Sequence, residues 1–180
     1  MKKLYRTTEE INGHKFYRTY NFLPEPERKQ LIKEIGPFIV NRPYVKDYGP
    51  VPGYNTPDNM QDNPIFKQFH KKVQNEFVRY MNKIAVIERS WCNRNFGDFT
   101  MWHEHPTHYA TVYYLKHHPF FARGTMFNFD GEEQLVKSPQ NCLLTFPGHL
   151  LHSVPATKFG IKFDRYCFAM DVNTFAWSGL

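Results

Sequence analysis

The chain has 180 residues, 41% hydrophobic and 17% aromatic, with 13 prolines and 10 glycines. That composition excludes disorder, collagen and coiled coil as descriptions of the whole, and it suits one domain of ordinary size. Lys and Arg total 23 against 17 Asp and Glu, and the net charge of +6 favours anionic partners without a dense basic tract to localise them. Cys92, Cys142 and Cys167 are odd in number and lie in or beside apolar runs, which reads as reduced core thiols rather than a disulfide framework or a CxxC zinc site. The basic opening lacks an apolar h-region, and no run of about 18 apolar residues occurs. A cytoplasmic protein with no membrane segment is expected.

In chain order, residues 24–35 open with proline and acid and continue through Leu31, Ile32 and Ile35, the start signals of a short helix with Gly36-Pro37 as its stop. Residues 41–64 carry five prolines, two turn pairs and several tyrosines, a long irregular segment that a scaffold must hold. From residue 64 to about 84, Phe66, Phe69, His70, Val73, Phe77, Tyr80 and Met81 recur at three- and four-residue spacing, which predicts the strongest helix of the chain. Beyond it the character changes to short β-rich runs at residues 85–93, 107–116, 125–128, 141–146 and 163–172. Helices first and strands afterwards, without a βαβ rhythm, predict a mainly β fold with flanking helices: a helical and loop preface over 1–83 packed on an antiparallel barrel or sandwich over 84–175, as a single domain.

Chemistry concentrates in the β-rich half. In an extended segment alternate side chains share a face, so His103 and His105 of Trp102-His-Glu-His-Pro106 point the same way, their backbones about 6.6 Å apart. Two imidazoles at that spacing converge on one ion, and His152, just beyond the apolar run 141–146, is placed to supply a third ligand. Three ligands on one side leave open positions opposite, which an O2-activating iron needs. The same alternation puts His108 and His149 on the other face. His14, His70, His117 and His118 have no partner pattern and read as structural or exposed.

The order of the pieces resembles a family. Phe99-x-x-x-His103-x-His105-Pro106, then Ala110 to Leu115, Gly124 to Asn128, Leu143 to Pro147, Leu151-His152-Ser-Val-Pro155 and finally Asp164-Arg165 are similar to the iron(II)/2-oxoglutarate-dependent oxygenase superfamily, in particular its small prolyl-4-hydroxylase-like and phage or marine-bacterial members. The resemblance covers about residues 84–173. It implies a double-stranded β-helix, that is a cupin-like jelly roll, holding Fe(II) through His103, His152 and the side chain at the acid position, here His105, with 2-oxoglutarate as cosubstrate and O2 as oxidant. It places Arg165 on the cosubstrate's far carboxylate and Tyr114 and Asn93 beside it, with Tyr113 the alternative if the register shifts by one. A guanidinium on an apolar strand suits a carboxylate, since it offers parallel donors and keeps its charge; the competing reading is a surface pair with Asp164. The implied reaction is oxidative decarboxylation of 2-oxoglutarate to succinate coupled to hydroxylation of a substrate.

One position departs from the pattern. The family carries Asp or Glu where this chain has His105, and Glu104 could substitute only through a bulge. Two alternatives therefore stand beside the oxygenase: a three-histidine cupin-like metal protein that does not use 2-oxoglutarate, and a non-catalytic nucleic-acid-binding or phage protein. The substrate, whether peptide, small molecule or nucleic-acid base, is expected to approach over residues 41–64 and 119–123.

Overall fold

The computed structural model describes residues 2–41, 54–95, 100–117, 124–155 and 164–176. It begins with a hairpin, β1 (Tyr5–Ile11) and β2 (His14–Tyr20), turned at Asn12-Gly13 with φ of 48° and 76°. Those are the left-handed values a two-residue type I′ turn requires, and Asn-Gly is the pair that accepts them. The hairpin corrects the expectation of helices first and strands afterwards. β1 is exposed at six of its seven positions, so it lacks the apolar alternation by which a strand is recognised; the signal lay in its turn.

Helix α1 (Glu25–Ile35) starts on Pro24 with acids in its first turn, and a 3₁₀ turn follows at Gly36–Phe38. Two short strands, β3 (Val40–Asn41) and β4 (Tyr54–Asn55), lead to α2 (Lys67–Met81), which ends where Asn82 adopts φ 52° and donates its N–H back to Phe77 and Val78. The remaining strands are β5 (Lys83–Asn95), β6 (Thr100–His103), β7 (Tyr109–Lys116), β8 (Thr125–Phe129), β9 (Glu132–Val136), β10 (Cys142–Pro147), β11 (His152–Val154) and β12 (Arg165–Ala176). Among the described residues these form a sheet in the order β1-β2-β10-β7-β12-β5-β4-β3 and a smaller one in the order β6-β11-β8-β9. Every pairing between these strands is antiparallel, and the two sheets make the expected double-stranded β-helix.

The large sheet has a layer on each side. Phe69, Val73 and Phe77 of α2 and Leu31 and Ile35 of α1 pack on Tyr113, Phe168, Met170 and Val172, with Phe69 and Phe168 rings 4.8 Å apart. Each such side chain removed from water contributes about 1.5–3 kcal/mol, so the helices are fastened by their predicted apolar faces. On the opposite side Phe16, Tyr114, Phe127, Leu144, Phe146 and Cys167 fill the space between the sheets. All three cysteines are buried free thiols, and no helix among the described residues is long and apolar enough to cross a membrane.

An irregularity in β5 decides what reaches the barrel interior. Arg89 opposes Asp171 and Ile87 opposes Val172, so Glu88 is an extra residue. The bulge reverses the faces of β5. Ala85 and Ile87 therefore join the helix-facing core as Cys92 does, while Arg89 and Trp91 share the barrel side with their partners Asp171 and Ala169.

Candidate metal and cosubstrate site

The three predicted histidines meet. β11 lies between β6 and β8, with His152 directly opposite His103 on one side and Phe127 on the other. His105 follows two residues after His103, and its backbone N–H donates to Gly148 O at 2.9 Å, while Gly148 N–H donates to His108 O at 3.1 Å. These bonds lace the loop of His105 to the loop entering β11. The approach is so close that a Cβ on Gly148 would lie 2.1 Å from Thr107 O, which only glycine allows. One ring nitrogen of each histidine then lies within 4.8 Å of the other two, and the Nε2 atoms of His105 and His152 are 3.3 Å apart.

Two of the rings are held by their other nitrogen. His103 Nδ1 lies 2.8 Å from Met101 O and His152 Nδ1 2.8 Å from Leu150 O. A carbonyl oxygen only accepts, so Nδ1 carries the hydrogen and Nε2 keeps its lone pair. His105 Nδ1 lies 2.7 Å from Asp171 Oδ1 in a contact that is not linear; among the described residues neither buried atom has a hydrogen-bond partner. Burial lowers the His103 pKa, and burial with the neighbouring imidazoles holds His152 well below its ordinary value. The facing Nε2 atoms of His105 and His152 need either one shared hydrogen or one shared cation between them. For metal–nitrogen bonds of about 2.1 Å, ligands at a right angle stand about 3 Å apart, so the donor set fits a divalent ion. Trp91 closes one side, its ring 5.8 Å from that of His105.

Glu104 is exposed and takes no part in this cluster, because the chain keeps its extended alternation through His103 and His105. His108 and His149 are also exposed and outside it; His108 Nδ1 accepts from Thr174 N–H at 3.0 Å.

Arg165 opens β12, is 8% exposed, and donates to Gly124 O at 3.0 Å. Its guanidinium carbon stands 5.7 Å from the Tyr114 ring centre, and the Tyr114 hydroxyl is 2.6 Å from Thr125 Oγ1. No acidic side chain among the described residues pairs with Arg165. The competing surface pair is absent because Asp164 faces the other way, to Arg94 at 3.0 Å and Lys116 at 3.4 Å. Tyr114 lies in the barrel and Tyr113 against the helices, so Tyr114 is the one of the two on the side of Arg165. Asn93 opposes Cys167 across the β5–β12 ladder, which puts it on the barrel side.

Three residues of the site escaped the sequence reading. Asp171 continues the alternation Arg165, Cys167, Ala169 by one step, and an acid in an apolar strand was its signal. Arg89 shares the face of Asn93 by simple alternation through Trp91, so a basic residue four positions before Asn93 was its signal. Asn95 is buried opposite Arg165 with Oδ1 lacking a hydrogen-bond partner among the described residues, and it left no local mark. The expected substrate approaches lie outside the described residues for 42–53 and for all of 119–123.

No protein-family profile and no curated protein matches the sequence. Solved structures do match its fold. The viral collagen prolyl hydroxylase of Paramecium bursaria Chlorella virus-1, in complex with 2-oxoglutarate, superposes with a TM-score of 0.58 at 14% identity over 87% of this chain and 94% of that one. HygX of Streptomyces hygroscopicus, with nickel, 2-oxoglutarate and hygromycin B bound, gives 0.67 at 9% identity over 88% and 82%. A prolyl-4-hydroxylase of Pseudomonas putida gives 0.58 at 15% identity over 89% and 93%. The fold is that of 2-oxoglutarate-dependent oxygenases, as the motif order implies.

Proposed function

We propose that the protein is an iron(II)- and 2-oxoglutarate-dependent oxygenase that hydroxylates a substrate still to be identified, a peptide, a small molecule or a nucleic-acid base. The observation that carries this reading is the pairing, inside one barrel, of three converging imidazoles with a buried guanidinium that has no acidic partner among the described residues. His103, His105 and His152 would hold the iron, and Arg165 the far carboxylate of 2-oxoglutarate. Structural relatives that bind 2-oxoglutarate, and in HygX nickel as well, support the assignment.

Bound together, iron(II) and 2-oxoglutarate supply the oxidising chemistry: with O2 and a C–H bond they yield succinate, carbon dioxide and an alcohol. The chain's own work is placement. Met101 and Leu150 carbonyls fix the rings of His103 and His152, so their lone pairs are oriented before any ion arrives, and the Asp171 carboxylate lies 2.7 Å from His105 Nδ1. Gly124 O and the Tyr114 face hold the Arg165 guanidinium in position, while Phe127 and Phe146, with rings 5.7 and 4.9 Å from that of His152, shield the ligands from water.

Anaerobic addition of Fe(II) and then 2-oxoglutarate is expected to produce a visible charge-transfer band, and admission of O2 to produce succinate. A three-histidine metal protein that does not use 2-oxoglutarate is the second reading, favoured by His105 itself; Fe(II) binding without that band would establish it.

A further inference from the structure

Within the ligand set one imidazole differs from the other two. His103 and His152 lean on neutral carbonyls, whereas His105 leans on a carboxylate that is 0% exposed. From the geometry we propose that Asp171, clamped by Arg89, is the positioning residue of the metal centre: it supplies through His105 the negative charge that the ligand set itself lacks. The inference rests on the metal-binding reading above.

The arrangement divides the carboxylate between two partners. Arg89 Nε donates to Asp171 Oδ2 at 2.8 Å, and a second guanidinium nitrogen reaches the same oxygen at 2.7 Å. Oδ1 is thereby left for His105 at 2.7 Å. Two guanidinium nitrogens on Oδ2 favour the carboxylate over the acid form of Asp171. A carboxylate on Nδ1–H fixes the tautomer and makes Nε2 a stronger donor. Arg89 does not cancel this, because it grips the far oxygen and its side chain is 32% exposed; water screens its charge more than that of the buried carboxylate. The strands make the placement rigid, since Asp171 is flanked in register by Ala110 of β7 and Arg89 of β5, and the small Ala110 leaves the His105 side open.

The test is metal affinity rather than turnover. Co(II) and Fe(II) are titrated anaerobically into apo-protein against a chromophoric chelator, for the parent, Asp171→Asn, His105→Asp and the double variant. Asp171→Asn keeps shape and removes charge, and is expected to weaken both metals by about 10- to 100-fold. In the His105→Asp background, where the ligand set has its own carboxylate, the same substitution is expected to leave affinity unchanged or improve it. Equal affinity in parent and Asp171→Asn overturns the proposal, whereas a parent that binds neither metal overturns the metal reading itself. A measurement on the parent serves if Asp171→Asn does not fold. In the Zn(II)-loaded protein the His105 Nδ1 proton should resonate downfield of those of His103 and His152, and three equivalent shifts would refute the role.

Discussion

The two faces of the central sheet are made by the same strands and are built on opposite plans. β12 turns Tyr166, Phe168, Met170 and Val172 to the helices, and Arg165, Cys167, Ala169 and Asp171 to the barrel. β7 does the same with Tyr113 and Tyr114. The helix side is apolar and closed, and its job is burial. The barrel side seats charged and polar groups in short relays, Arg89 to Asp171 to His105 and Gly124 to Arg165, each of which ends on an atom still able to bind something. Stability and chemistry are thus separated by one residue of register, and a substitution should trouble one without the other.

The largest effect belongs to the closed face. Phe168, 0% exposed and ringed by Phe66, Phe69 and His70, loses that packing in Phe168→Ala at a cost of about 3–5 kcal/mol. For a chain of this size that is a fall in Tm of roughly 6–20 °C, readable by circular dichroism. The folded variant should bind Co(II) as the parent does; a parallel loss of metal affinity would show that the two faces are not separable.

The open face breaks differently. His103→Ala removes a partly buried imidazole at the end of β6, so apo-protein stability should hold while Fe(II)- and 2-oxoglutarate-dependent succinate formation falls by at least about 100-fold, more than the loss of an outer partner would cause. Arg165→Met should be milder. Charged hydrogen bonds contribute about 1.5–3 kcal/mol each, so the KM for 2-oxoglutarate is expected to rise about 10- to 100-fold, with kcat changed less. An unchanged KM would reduce Arg165 to a brace for Gly124.

The same division explains what could be read without coordinates. α2 and the helix-facing residues follow from period alone, because burial against a neighbour leaves a repeating mark. The histidines were legible because His-x-His on an extended segment shares a face whatever the rest of the fold does. Arg89 and Asn95 were not, because, although alternation puts them on the face of Asn93, their roles depend on pairing with residues some 70 to 80 positions away. The β1–β2 hairpin was missed because β1 is an exposed edge strand, so only Asn12-Gly13 announced it. Asp130-Gly131, at φ 53° and 99° between β8 and β9, is a second copy of that signal.

His70 tests the closed face most gently. It sits in α2 between Phe69 and Phe168, 5% exposed, with neither ring nitrogen hydrogen-bonded among the described residues. Burial lowers its pKa from 6.5 to about 4. The folded state therefore resists a proton that the unfolded chain accepts. Stability is whole above pH 6.5 and is lost as pH falls toward 4, by about 1 kcal/mol at pH 6 and about 2 kcal/mol at pH 5. His103 and His152 are shifted in the same direction in apo-protein, so the informative quantity is a difference. His70→Leu supplies it, because the substitution leaves the barrel side untouched and puts an apolar group among apolar neighbours. Urea unfolding of both proteins should show the variant gaining on the parent as pH drops from 7.5 to 5. A constant gap across that range would mean that His70 takes up its proton without cost, and that the closed face admits water where its packing says it should not.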